Sequence, residues 1–136
     1  METFITIIRE SHSGVRWLVV LLGLIIIIKH SIGWAMKSEY SALDRRLVSI
    51  FSAVFGIQFL LGLLMTVLYL ITGRFVMATS GAHLVIMLIA FFVAMRTSKW
   101  KNAEGVIPFR NNVIALVIAG LLIYVGVLGL PVGWSI

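Results

Sequence analysis

Four long apolar stretches, separated by short polar ones, organise the chain. They run from about Gly14 to Met36, Leu47 to Thr72, Thr79 to Ser98 and Asn112 to Trp134. A helix needs about 20 apolar residues to cross roughly 30 Å of hydrocarbon, and each stretch meets that need. Strands do not fit, because a membrane strand alternates apolar with polar residues and must close into a barrel. The expected fold is all-α: a four-transmembrane-helix bundle, in a single integral membrane domain over residues 1–136.

The ends of the stretches carry suitable chemistry. Ser11 or Ser13 can cap the first helix, and Ser41 with Asp44 the second. Thr79 or Ser80 can cap the third, and Asn111 the fourth. Trp17, Trp34, Trp100 and Trp134 fall near span ends, where an indole sits well at headgroup level. Residues 1–13 mix Phe4, Ile5, Ile7 and Ile8 with Glu2, Arg9 and Glu10, which predicts a short interfacial segment. A cleaved signal peptide is the alternative. Glu2 and Glu10 spoil its basic leading region, and no small-residue cleavage site follows the apolar run.

Composition agrees with the pattern. Hydrophobic residues make up 61% of the chain, charged ones 12%, and the mean hydropathy is +1.12. A soluble domain is roughly 45–50% apolar and 25% charged. A chain of 15.1 kDa cannot bury such an excess in its own interior. A soluble enzyme, a disordered tail and a secreted disulfide scaffold are excluded. Cysteine is absent, which removes disulfides, iron–sulfur clusters, zinc–thiolate sites and covalently attached c-type haem.

The net charge of +6 reads as a positive-inside signal rather than a nucleic-acid surface. The first loop carries Lys37, Arg45 and Arg46, with Lys29 snorkelling toward it; the third carries Arg96, Lys99, Lys101 and Arg110. Arg9, Arg16 and Arg74 fall on the other side. The basic side is expected to be cytoplasmic. That makes a multi-pass protein of the bacterial inner (cytoplasmic) membrane with both termini outside.

Polar residues inside a membrane are costly and therefore informative. Here they are His12, Arg16, Lys29, His30, Gln58, Tyr69, His83 and Tyr124. None is an acid; the five acids are assigned to the tail and loops, which argues against a pump or channel. His12 and His83 are expected at similar depth on different helices. That placement suits the axial ligands of a b-type haem, with Arg16 one turn from His12 to hold a propionate. The plainer alternatives are a His12 solvated among headgroups and a His83 that caps its helix or bonds a carbonyl.

His30 lies eighteen residues from His12, about 27 Å along a helix. No second histidine is available at its depth, and Met36 or Met95 would be a weak partner. A hydrogen-bonded or interfacial His30 is expected, near a quinone headgroup or a partner subunit. Gln58, Gly62, Met65 and Tyr69 share one face of span two. Gln58 is expected to bond another helix, with a ligand contact as its alternative. Ala90 and Ala94 leave room after His83 for a flat macrocycle or for another helix. Ala115, Ala119, Gly126 and Gly133 form a close-packing seam on span four.

The run His12-Ser13-Gly14-Val15-Arg16-Trp17 resembles small four-span bacterial membrane proteins with an HSGxRW first helix, loosely described as cytochrome b-like. The resemblance extends to the four-span layout, and His83 matches a further histidine of that group. It implies a membrane subunit of a respiratory or photosynthetic electron-transfer complex, carrying one b haem near the outer side. The chain has Gly56 and Gln58, and Met95 and Arg96, where further histidines belong, so a second haem is not implied.

The alternative is a cofactor-free accessory subunit packed against larger membrane subunits. A third reading is a small transporter or quinone-handling protein. No independent catalytic activity is expected, because Ser–His–Asp, HExxH and phosphate-loop constellations are absent. The expected partners are lipid, other membrane subunits and quinone, not nucleic acid.

Overall fold

The computed structural model describes residues 1–131, 133 and 134. Four α-helices follow in order: α1 (Glu2–Met36), α2 (Ala42–Ile71), α3 (Ala82–Met95) and α4 (Ile107–Leu128). A π-helical turn, Met77–Gly81, leads into α3, and a 3-10 turn, Arg96–Ser98, leads out of it. With those turns, each of the four helices is long and apolar enough to span a membrane. The bundle brings α1 against both α2 and α4, and α4 against α3. Among neighbouring helices, α2 and α3 touch least.

The helix limits differ from the sequence expectation in an instructive way. Residues 1–13 do not form a separate surface segment: they continue α1, whose 35 residues measure about 52 Å. Ser11 and Ser13 lie inside that helix and cap nothing; Ile5, near its start, is buried. Thr79 and Ser80 belong to the π-helical turn rather than to a cap. Asn111 lies inside α4, which starts earlier, with Pro108 in its first turn. Pro supplies a fixed helical φ and lacks an N–H that would have no partner there. The fourth span was expected to reach Trp134, through Val132, which lies outside the described residues; α4 itself stops at Leu128.

A thin core runs down the middle. Val19 and Ile26 of α1 meet Phe51 and Phe55 of α2, Ala94 of α3, and Leu116 and Ala119 of α4. The small-residue seam on α4 is buried at Ala115, Ala119 and Gly126, as the spacing predicts. Ala90 and Ala94 are also fully buried, so they serve helix approach. Leu18, Leu21, Leu60, Phe92 and Leu121 point outward. Such a surface is stable only in an apolar solvent.

One end of the bundle is latched by polar contacts. Ser41 and Asp44 form a reciprocal capping box at the start of α2. Asp44 is buried there, a correction to the expectation that every acid lies in the tail or loops. Lys29 reaches toward the first loop, as expected, and there its Nζ donates to Asp44 Oδ1 at 2.5 Å. His30 Nε2 lies 3.4 Å from the same oxygen.

On the other side of the ring, Asn112 Nδ2 approaches His30 Nδ1 at 3.3 Å and donates to Tyr40 Oη at 3.2 Å. Burial raises the pKa of the Tyr40 phenol, which stays protonated in this contact. The rings of His30, Tyr40 and Phe109 meet edge to face, with centroids 5.2–5.5 Å apart. Gly33 permits this closeness, since a Cβ there would stand 2.6 Å from the Phe109 ring. His30 is thus a hydrogen-bonded structural residue. Met36 lies exposed at the end of α1.

Asp44 therefore joins α1 to α2 and stands one step from α4. Breaking a buried ion pair costs about 3–5 kcal/mol and losing a cap about 1 kcal/mol; partial screening of Lys29 reduces the first, so Asp44→Ala should destabilise by roughly 2–4 kcal/mol. Thermal unfolding of the detergent-solubilised chain tests this, with the exposed Glu39→Ala as control. Equal midpoints for the two variants would remove the latch from the account.

Candidate functional site

The opposite end carries both histidines singled out as a pair. His12 comes from the third turn of α1, and His83 from the first turn of α3. Their ring centroids are 6.5 Å apart, and the ring planes stand at 83° to each other. Both rings line a cavity of about 570 Å³ bounded by all four helices. Ligand pockets span roughly 300–1,000 Å³, so this one suits a cofactor-sized molecule.

The spacing has a chemical meaning. A metal–imidazole bond is about 2 Å, and a ring nitrogen lies about 1 Å from its ring centre, so two imidazoles that share an ion have centroids roughly 6–6.5 Å apart. An edge-to-face aromatic pair, with centroids about 4.5–7 Å apart, covers the same range, so the spacing admits a shared ion and does not require one.

Each imidazole is held from behind. His83 Nδ1 lies 3.1 Å from the Gly126 carbonyl, which can only accept, so Nδ1 carries the proton. Nε2 is then left with its lone pair. Histidines that bind metals commonly donate their other N–H to a carbonyl in this way. The carbonyl contact raised as a plain alternative for His83 therefore exists, and it leaves Nε2 unused. His12 is half-buried, with its ring against α2 rather than free among headgroups. Its Nδ1 is buried without a well-formed hydrogen bond, beside the main chain of Gln58. Gly62 makes room for that ring: a Cβ there would lie 3.2 Å from His12 Cε1.

The face predicted on α2 is a cavity wall, since Gln58, Gly62, Met65 and Tyr69 all line it. Gln58 is 8% exposed and its Oε1 has no hydrogen-bond partner, so the expected bond to another helix does not form. Phe55 and Phe59 close the deep side, with Phe59 stacked on Phe91 at 4.3 Å. Ala90 and Ala94 do not line the cavity; Met87 does.

Arginines gather around the cavity. Arg16 lines it and is buried, with its guanidinium 5.2 Å from the Trp17 ring centre and 5.0 Å from that of Trp134. Those two indoles lie 5.5 Å apart, at the end of the bundle where α1 begins. Arg9 and Arg74 also line the cavity. Sequence reasoning placed them on the same side but missed their convergence. That depends on α1 extending past His12, where Glu2 forms an ion pair with Arg74. Tyr124 lies outside the site and is exposed.

Comparison of the chain with known protein families, curated proteins and solved structures found no match. Among the described residues, no group of three or more His, Cys, Asp or Glu is placed to hold a metal ion. Two imidazoles alone can still hold a metal whose other ligands come from a macrocycle.

The absence of cysteine allows a clean test of the pairing. A His12→Cys/His83→Cys double variant should be bridged by a short bifunctional thiol reagent in membranes. A His30→Cys/His83→Cys variant should not. Equal cross-linking of the two, or none in the first, would contradict the shared cavity.

Proposed function

We propose that the chain is a membrane subunit of a bacterial electron-transfer complex that holds one b-type haem between His12 and His83. The observation that carries this reading is the pair of imidazoles, 6.5 Å apart, on the wall of one cavity. Donor chemistry supports it: the proton on His83 Nδ1 is committed to Gly126, which leaves Nε2 to coordinate. Arg16 supports it as well, because a buried guanidinium next to the cavity can hold a carboxylate. Arg9 and Arg74 line the cavity too, each paired with a glutamate, Glu10 and Glu2 respectively.

A haem bound there would supply one-electron transfer, the chemistry that the side chains lack. The protein's own part is to fix two imidazoles, hold a carboxylate at Arg16 and exclude water with Phe55, Phe59 and Met87. Gly62 sets how closely His12 lies against α2.

The bias of basic residues supports an inner-membrane orientation with both termini outside. The haem would then face the outer side. The broad apolar faces of the helices fit a subunit that packs against lipid and larger partners. Without the haem, that packing alone would make it an accessory subunit.

Reduced-minus-oxidised spectra of the purified chain test the reading. A b-type α-band should be present and should vanish in both His12→Ala and His83→Ala, while His30→Ala keeps it. Arg16→Gln should retain the band but release haem about tenfold more readily, the loss of one charge-assisted contact. Wild-type protein without the band, after expression with ample haem, would rule the haem out and leave the accessory-subunit reading.

A further inference from the structure

The end opposite the histidines bears a second concavity, a groove of about 320 Å³ between α3 and α4. Val93, Ile114, Ala115 and Ile118 form its apolar part. Arg96, Trp100 and Asn111 form its polar part. These two parts lie at different depths. Asn111 is near the start of α4, and Ile118 is seven residues, or about 10 Å, further along the span. The groove thus grades from a cationic mouth at the helix ends to hydrocarbon within the bundle's width.

Its mouth is built locally. The 3-10 turn after α3 carries Arg96 back over Trp100, with the guanidinium 5.8 Å from the ring centre. Arg110 Nε donates to Asn111 Oδ1 at 3.2 Å, which brings a second guanidinium to the rim. From Arg96 to Asn111 the chain carries four basic residues against one acid, Glu104. Glu104 does not line the groove. Basic pockets between membrane helices select anionic phospholipid headgroups.

We infer that this groove is a binding site for one anionic phospholipid, with its phosphate at Arg96 and an acyl chain along Val93, Ile114 and Ile118. A zwitterionic lipid presents its phosphate together with a cation, which this mouth repels. A soluble acidic partner would leave the apolar part uncovered. The site is independent of the histidine cavity at the other end.

Native mass spectrometry of the delipidated chain tests the inference, using dioleoyl phosphatidylglycerol and dioleoyl phosphatidylcholine in parallel. Wild type should retain the glycerol lipid in preference. Arg96→Gln should lower that preference about fivefold, the effect of one basic residue on one anionic headgroup. Ile118→Trp, on a face already open to lipid, should fill the groove and reduce retention without altering helix content. Lys37→Gln, outside the groove, should behave as wild type. Equal retention of the two lipids, an unaffected Arg96→Gln preference, or displacement by inorganic phosphate alone would overturn the site.

Discussion

A polar group enclosed in a membrane bundle must be satisfied by another group, because no water is at hand to do it. That constraint divides this molecule in two. At the basic end, Lys29, His30, Asp44, Asn112 and Tyr40 form one contact network, although His30 Nε2 and Asn112 Oδ1 lack a hydrogen bond, and the helices close. At the histidine end, Gln58 Oε1 is buried without a hydrogen-bond partner on a cavity wall, and His12 Nδ1 lies against the Gln58 main chain. Buried polar atoms of this kind are uncommon in native proteins and call for a cause. A ligand in the cavity, as proposed, would supply a partner for Gln58 Oε1.

The closed half makes the open half affordable. Asp44 fixes α2 to α1 through Lys29, and Asn112 fixes α4 to the loop before α2 through Tyr40. Above this latch, Phe51, Phe55 and Phe91 form an edge-to-face aromatic series between α2 and α3. Past the series those two helices need not touch, and the space between them belongs to the cavity. Rigidity at one end thus positions His12 and His83, on helices that share little direct contact, without filling the gap that they face.

Much of this was legible in the sequence. The four spans follow from apolar length, and the Ser41–Asp44 cap from the spacing of those two residues. The matching depth of His12 and His83 follows from counting turns from the span ends. The face of Gln58, Gly62, Met65 and Tyr69 followed from helical periodicity, although its role as a cavity wall did not. The extent of α1 was missed because Ser11, Ser13 and Gly14 resemble a helix start, while Ile5 is held in the helix by burial. The burial of Asp44 was missed because a cap is normally exposed. Its partner Lys29 lies fifteen residues away, and periodicity alone does not reveal contacts between helices. The gathering of Arg9 and Arg74 beside Arg16 depends on the same tertiary packing.

The central proposal is that His12 and His83, whose ring planes stand near a right angle, would together hold one haem iron. Low-temperature electron paramagnetic resonance of the oxidised protein tests it most directly. Crossed imidazole planes leave two iron orbitals nearly equal in energy, so a strongly anisotropic low-spin signal is expected. A high-spin signal, or no iron signal in protein supplied with haem, would contradict it.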